Sequence, residues 1–162
     1  MSWGGIMSEE RRAALARSIA AFVAAVEAQP EALFLHSVDG RTPRDIVAHL
    51  IGWNWHAIET SGALWRGAAP EWTIAPGPDF RNVNGESLRR YAATDKAALL
   101  GQLRASAADY DQMLCDLPAA EWDDNHGVTW QGYAVTNGWL ADALIHDYDQ
   151  HRAEIADWPG RE

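Results

Sequence analysis

Cysteine is nearly absent from this sequence, which has 162 residues and a single cysteine, Cys115. One cysteine excludes an intramolecular disulfide and a zinc cluster made of thiolates. Any catalytic or metal-binding chemistry therefore depends on histidine, carboxylate or hydroxyl groups. We interpret Cys115 as a small hydrophobic residue at the edge of the core, because no histidine or basic residue at helical spacing activates its thiol.

Basic residues are also few, since 13 Lys and Arg stand against 23 Asp and Glu and the net charge is -10. Nucleic acids and anionic membranes are bound mainly through Lys and Arg, so this balance argues against both as partners. No apolar run approaches the roughly 20 residues that span a bilayer, and the N-terminus lacks a secretory pattern. We expect a cytoplasmic protein whose partner is a small, uncharged or apolar molecule.

Strand signals are scarce as well, whereas four long segments show helical periodicity. The second segment has the clearest start, with Thr42 as N-cap, Pro43 at the first helical position and Asp45 placed to close a capping box. The predicted helices run from Ser8 to Gln29, from Thr42 to about Gly67, from Thr94 to Leu117, and from Val135 or Thr136 to Trp158.

Two long connections separate these helices. Residues 68–93 are rich in proline and glycine and include a candidate helical turn near residues 86–91, and residues 118–133 form the second loop. Loops of this length usually cover a site or cross the end of a bundle. We therefore predict one all-α domain over residues 1–162, a four-helix bundle with a long crossover loop between the second and third helices. Residues 1–7 are predicted to be a flexible tail.

Polar side chains interrupt the inward face of the predicted last helix. Its apolar stripe consists of Leu140, Ala143, Leu144, Ile155 and Trp158. Asp147, His151 and Glu154 complete the same rhythm. Burial of a carboxylate and an imidazole costs several kcal/mol unless they are paired, so a partner inside the bundle is required. Asp147 and His151 lie one turn apart, and two side chains at this spacing can bind one metal ion.

The second helix supplies the predicted third ligand. His49 lies on an apolar face with Trp53, and His56 follows two turns later, about 10 Å along the helix. That distance is too long for both histidines to bind one ion. The sequence therefore predicts a divalent metal bound by His49, Asp147 and His151, with positions left open for water or substrate.

A pocket is predicted around these ligands. Glu154 and His56 are the candidates for proton transfer there. The chain has nine tryptophans, more than a core of this size needs, and Trp72, Trp122 and Trp130 fall in the two loops that could close over a bundle end. The predicted pocket wall consists of Trp53, Thr60, Leu144, Tyr148 and Trp158.

Simpler interpretations of the same residues stay open. Asp147 and His151 can be a plain hydrogen-bonded couple, His49 a satisfied core histidine, and Glu154 an exposed charge at the end of a helix. In that case the three predicted ligands form a buried hydrogen-bonded trio. The apolar surplus then serves a homodimer interface.

Two segments resemble a known superfamily. Residues 42–53, TPRDIVAHLIGW, resemble the second-helix signature of the DinB/YfiT-like superfamily, and residues 147–155, DYDQHRAEI, resemble its last-helix segment. Residues 79–84 and 117–122 resemble its crossover loop and its third connection, so that the resemblance covers most of residues 8–158. It implies a four-helix bundle that binds a divalent metal, commonly zinc or nickel. Members include thiol-dependent transferases and a maleylpyruvate isomerase.

By position, His49 and His151 match two ligands of that superfamily, whereas Asp147 stands where a histidine is usual. A carboxylate shifts the preference of the site toward harder ions such as Mn²⁺ or Fe²⁺. The resemblance implies a transferase or hydrolase that activates water or a low-molecular-weight thiol against a small electrophile. Residues 50–53, LIGW, also resemble the ClbS/DfsB-like branch, which implies the alternative of a metal-free genotoxin-binding or resistance protein.

Overall fold

Four long helices make up most of the chain in the computed structural model, which describes residues 3–70, 73, 80–92 and 95–159. The helices are α1 (Trp3–Ala28), the single turn α2 (Glu31–Phe34), α3 (Pro43–Trp65), α4 (Phe80–Arg90), α5 (Lys96–Asp116) and α6 (Asn137–Ala156). A 3₁₀ turn (Ala119–Glu121) and a hairpin of β1 (Thr129–Trp130) with β2 (Tyr133–Ala134) lie between α5 and α6. The predicted all-α four-helix bundle is confirmed.

The start of α3 is fixed by the predicted capping box. The backbone N–H of Asp45 donates to the Thr42 hydroxyl over 3.2 Å, and the Thr42 N–H donates to the Asp45 carboxylate over 2.9 Å. Pro43 occupies the first turn, where its missing N–H costs nothing. The cap therefore sets the position of every later side chain on α3.

Buried hydrogen bonds join the helices inside the apolar core. The Tyr148 hydroxyl on α6 donates to the Asn54 side-chain oxygen on α3 over 2.9 Å, and the Asn54 amide donates to the Ser106 hydroxyl on α5 over 2.9 Å. All three side chains are buried. Buried polar groups need such partners, and these bonds hold α3 and α6 in one register. Around them pack Phe22, Val26, Leu50, Ile51, Leu99, Leu103 and Ile155.

The structure corrects several predicted boundaries. α1 begins at Trp3 rather than at Ser8, so residues 3–7 of the predicted tail are helical. A capping preference of about 1 kcal/mol at Ser8 is too small to stop a helix that can continue. Asp95, not Thr94, caps α5, and its carboxylate accepts from the Ala98 N–H over 2.8 Å.

The predicted crossover loop contains more helix than expected. α4 has 11 residues, where a single turn near residues 86–91 was predicted, and residues 71, 72, 74–79, 93 and 94, including Trp72, lie outside the described residues. The short hairpin of β1 and β2 was missed as well. Its turn residues Gln131 and Gly132 both have positive φ, as a type I′ hairpin turn requires, and glutamine is an unusual residue there.

The inward face of α6 is rotated toward Ala141 and Tyr148 relative to the predicted stripe. Ala143 is exposed, whereas Ala141 and Tyr148 have no exposed surface. Leu144, His151 and Ile155 are buried as predicted. Within the described residues, no helix combines the length with the apolar character needed to cross a bilayer.

Candidate metal centre

The structure brings the three predicted metal ligands together. His49 on α3 and Asp147 and His151 on α6 each offer one ligand atom, and these atoms lie within 4.8 Å of one another. His49 Nε2 is 3.6 Å from an Asp147 carboxylate oxygen, and the two imidazole rings have centroids 5.1 Å apart. Helix spacing alone places Asp147 and His151 side by side. The packing of α3 against α6 adds His49.

Asn84 on α4 orients His49. The Asn84 side-chain oxygen lies 2.9 Å from His49 Nδ1 and accepts a hydrogen bond from the Trp53 indole N–H, also over 2.9 Å. Because an indole nitrogen can only donate, the Asn84 atom at this point must be the oxygen. His49 Nδ1 must then carry a proton and donate to it. In neutral His49 the lone pair is therefore on Nε2, the nitrogen that faces Asp147.

Glu154 orients His151 in a similar way. His151 Nδ1 is 2.8 Å from the Glu154 carboxylate, so Nε2 is the ring nitrogen that can bind a metal. Glu154 also forms an ion pair with Arg41, which belongs to the turn before α3. An oxygen partner on the second ring nitrogen is the usual way in which proteins orient a metal-binding histidine. Both histidines have such a partner.

The three side chains line a cavity of about 340 Å³. The side chains of His49 and Asp147 are 23% and 33% exposed, so a small molecule can reach them. The cavity also contains one fixed positive charge, Arg41. Its remaining wall consists of Asp45, Ile46, Asn84 and Leu88.

Asp147 is held in its charged form. Burial raises the pKa of its carboxyl, but the hydrogen bond and charge of His49 and the charges of His151 and His146 lower it by more, so that the pKa lies below its usual range. A carboxylate that is ionised at neutral pH needs no deprotonation before it binds a cation. Asp147 therefore supplies the cluster with a negative charge at neutral pH.

The two residues predicted to transfer protons occupy different positions. Glu154 contacts His151 and Arg41 and is not part of the wall of the 340 Å³ cavity. His56 packs with its ring 4.9 Å from the Trp53 ring and belongs to the wall of a neighbouring cavity, which also includes Asp147. Burial lowers the pKa of His56, so its imidazole is neutral at pH 7.

The predicted pocket residues divide into two groups. Trp53 and Leu144 line the neighbouring cavity of about 310 Å³. Thr60, Tyr148 and Trp158 line neither of these two cavities and are buried, with exposures of 2%, 0% and 4%. Tyr148 belongs to the hydrogen-bonded core, and the Trp158 indole donates to the backbone oxygen of His36. The rotation of α6 explains why Tyr148 faces the core.

Other tryptophans also lie at positions that differ from the predicted ones. Trp122 is 2% exposed and belongs to the main core cluster instead of covering a bundle end. Trp130 packs against a second cluster of buried residues, Leu64, Val128, Val135 and Leu140. Trp139 packs on the same cluster and also lines the 310 Å³ cavity, a position that the sequence did not indicate.

Asn84 is the functional residue that sequence reasoning missed. Its only sequence signal is its position in the segment that resembles the superfamily's crossover loop. A single asparagine in a stretch rich in proline and glycine normally indicates a turn. Its contact with His49 joins residues that are 35 positions apart, and no local pattern records such a contact.

Comparisons with known proteins agree on the family and fold. The family model described as DinB superfamily matches residues 14–155. The solved structure described as Sibling Lethal Factor Precursor, DfsB, is 17% identical, with a TM-score of 0.77 over 93% of this chain and 94% of that one. A Streptococcus pneumoniae protein is 16% identical, with a TM-score of 0.78 over 93% and 89%. An uncharacterised Clostridium difficile 630 protein is 16% identical, with a TM-score of 0.75 over 93% and 94%. No curated protein matches the chain.

Proposed function

The chain belongs to the DinB superfamily, and from this premise we propose that it is a metal-dependent enzyme in which His49, Asp147 and His151 bind one divalent cation. One observation carries the proposal. The hydrogen bond to Asn84 directs the Nε2 lone pair of neutral His49 toward the Asp147 carboxylate, 3.6 Å away. Two acceptors that face each other repel unless a metal ion, or a proton on Nε2, lies between them.

The donor set suits a catalytic metal. Two imidazole nitrogens and one carboxylate oxygen bind Zn²⁺ in catalytic sites and Fe²⁺ in non-haem iron sites, in both cases with positions left open. Imidazole also suits nickel, and the carboxylate of Asp147 also suits Mn²⁺. A metal bound there acts as a Lewis acid and lowers the pKa of a bound water or thiol. We propose a transferase or hydrolase reaction of this kind on a small electrophile.

The chain's own residues have distinct roles in this proposal. Arg41 lines the cavity, and the guanidinium N–H groups that do not donate to Glu154 can donate to an anionic group of a substrate or of a thiol cosubstrate. Glu154 acts as a positioning residue through His151. His56 is the candidate that accepts or donates a proton, for a substrate that extends from the ligands into the neighbouring cavity.

Metal content tests the proposal directly. Protein purified without chelator and then incubated with Zn²⁺ should hold about one equivalent by elemental analysis, because such sites bind tightly. His49→Ala and His151→Ala should each hold below about a tenth of an equivalent, since two ligands do not retain the ion. His36→Ala removes an exposed histidine and serves as the control that keeps the metal.

The simpler hydrogen-bonded trio makes the opposite prediction. It requires a proton on His49 Nε2 in place of the metal. The parent protein then takes up none of the ions Zn²⁺, Ni²⁺, Mn²⁺ and Fe²⁺. Uptake of less than about a tenth of an equivalent of each of these ions would contradict the metal proposal.

Metal-free small-molecule binding is the second candidate function. The observation that favours it is the cavity of about 310 Å³, whose mostly apolar wall needs no metal to bind a ligand. This candidate predicts that a ligand bound by the parent is bound equally well by His49→Ala. Loss of ligand binding together with the metal would remove it.

A further inference from the structure

A second cavity shares one wall with the candidate metal centre. It lies between α3 and α6, has a volume of about 310 Å³ and meets the 340 Å³ cavity at Asp147, which lines both. Three of its residues are polar, His56, His146 and Asp147. The others are Trp53, Ala57, Trp139, Leu140, Ala143 and Leu144. We call it the apolar cavity.

We propose that the apolar cavity binds the apolar end of the substrate, an uncharged group of one or two rings or a short alkyl chain. This inference rests on the proposed function, because it assumes that the reaction takes place at Asp147 and the two histidines. The substrate is then amphipathic. Its polar end lies in the 340 Å³ cavity, where Arg41, Asp45 and Asn84 supply polar groups, and its reactive group lies between the two ends.

The composition of the wall disfavours an ionic occupant. Its two indole rings and four aliphatic side chains offer an anion little in exchange for its water, and burial of an unpaired charge costs several kcal/mol. A cationic group would be repelled by the divalent cation proposed at Asp147. The Asp147 carboxylate at one end repels an anion. A volume of about 310 Å³ lies at the lower end of the range of small-molecule pockets, which fits a group of one or two rings.

Asn84 links the two cavities. Its side-chain oxygen accepts from Trp53, which lines the apolar cavity, and contacts His49, which lines the other. One amide therefore fixes an indole ring on the side of the apolar group and an imidazole on the side of the metal. A substrate that packs against Trp53 is thereby placed at a fixed position relative to His49.

Binding of N-phenyl-1-naphthylamine to the metal-free protein tests the apolar cavity. This uncharged probe consists of a naphthyl and a phenyl group joined through an amine, and it fluoresces when it enters an apolar site, so its affinity can be titrated. Ala143→Phe places a ring at the cavity from an exposed position and should weaken binding by about tenfold or more. The matched control is Ala108→Phe, which makes the same change at an exposed position in the groove between α1 and α5.

The indole N–H signals in a ¹⁵N–¹H NMR spectrum locate the probe independently of affinity. The probe should shift the signals of Trp53 and Trp139, assigned through Trp→Phe variants, and leave those of the core residues Trp122 and Trp158 in place. Binding that survives Ala143→Phe but is lost in Ala108→Phe would overturn the inference. The absence of any shift at Trp53 and Trp139 would do the same.

Zinc titration of the same proteins separates this inference from the proposed function. Ala143→Phe should bind Zn²⁺ as tightly as the parent, because Ala143 is not one of the three ligands. If the parent binds the probe in the apolar cavity but takes up no zinc, the metal proposal fails and the ligand site stands. If it binds zinc but the probe fails these tests, the apolar cavity is not a binding site and the metal proposal stands.

Discussion

Asn84 and Glu154 give the two histidines of the cluster different partners. The partner of His49 is a neutral amide, whereas the partner of His151 is a carboxylate whose charge is offset by Arg41. Asp45 pairs with Arg44, so among the described residues that line the cavity Asp147 contributes the uncompensated negative charge. A divalent cation there keeps a net positive charge, and this favours the activation of a bound water or thiol.

Removal of Asn84 should weaken the metal site without removing a ligand. In Asn84→Leu, His49 loses the acceptor that holds its Nδ1–H, so Nε2 is no longer directed toward Asp147. Loss of such a partner typically lowers metal affinity by about 10- to 100-fold. Competition for Zn²⁺ with a chelating dye measures the change. Asn84→Asp keeps an oxygen acceptor and should retain most of the affinity.

The tautomer of His49 can be read directly in the same variants. At a pH high enough for the His49 imidazole to be neutral, ¹⁵N chemical shifts of the metal-free parent should show a proton on Nδ1 and none on Nε2, because the Trp53 indole fixes Asn84 with its oxygen toward His49. Asn84→Leu should show a mixture of the two tautomers. A parent protein with its proton on Nε2 would contradict this account of the site.

At the scale of the helix, α3 positions His49 through its capped first turn. His49 comes seven residues after Thr42, or about two turns, so its direction follows from where the helix begins. Thr42→Ala removes the acceptor for the Asp45 N–H and should cost about 1 kcal/mol of unfolding free energy.

Urea denaturation of Thr42→Ala measures that cost. Thr129→Ala is the control, because Thr129 is an exposed strand residue, and its effect should stay within about 0.5 kcal/mol. Equal stabilities of the two variants would show that the capping box does not stabilise α3.

The start of α3 could be predicted because all of its signals lie within four residues of sequence. Asp147 and His151 could be paired for the same reason, since one helical turn separates them. The role of Asn84 could not be predicted, because it depends on how α4 packs against α3. The rotation of α6 was also missed. Ala141 and Ala143 look alike in a hydrophobic pattern, and only packing buries one and exposes the other.

At the scale of the whole molecule, three sets of contacts fix α3 relative to α6. The core bonds of Asn54 hold the middle of the bundle, His49 faces Asp147 beside them, and the ion pair of Arg41 with Glu154 joins the start of α3 to the end of α6. The ligand atoms are thus brought together by the fold itself. A metal bound to both helices adds a link that the unfolded chain lacks.

Zinc should therefore raise the thermal stability of the folded protein. A ligand that binds only the folded state at about 100 times its dissociation constant stabilises it by about 2.7 kcal/mol, which for a chain of this size raises Tm by about 5–10 °C. Differential scanning calorimetry with and without Zn²⁺ measures the shift. His36→Ala should keep it and His151→Ala should lose it, because of these two residues only His151 belongs to the proposed ligand set. A shift of equal size in His151→Ala would mean that zinc binds elsewhere on the folded chain.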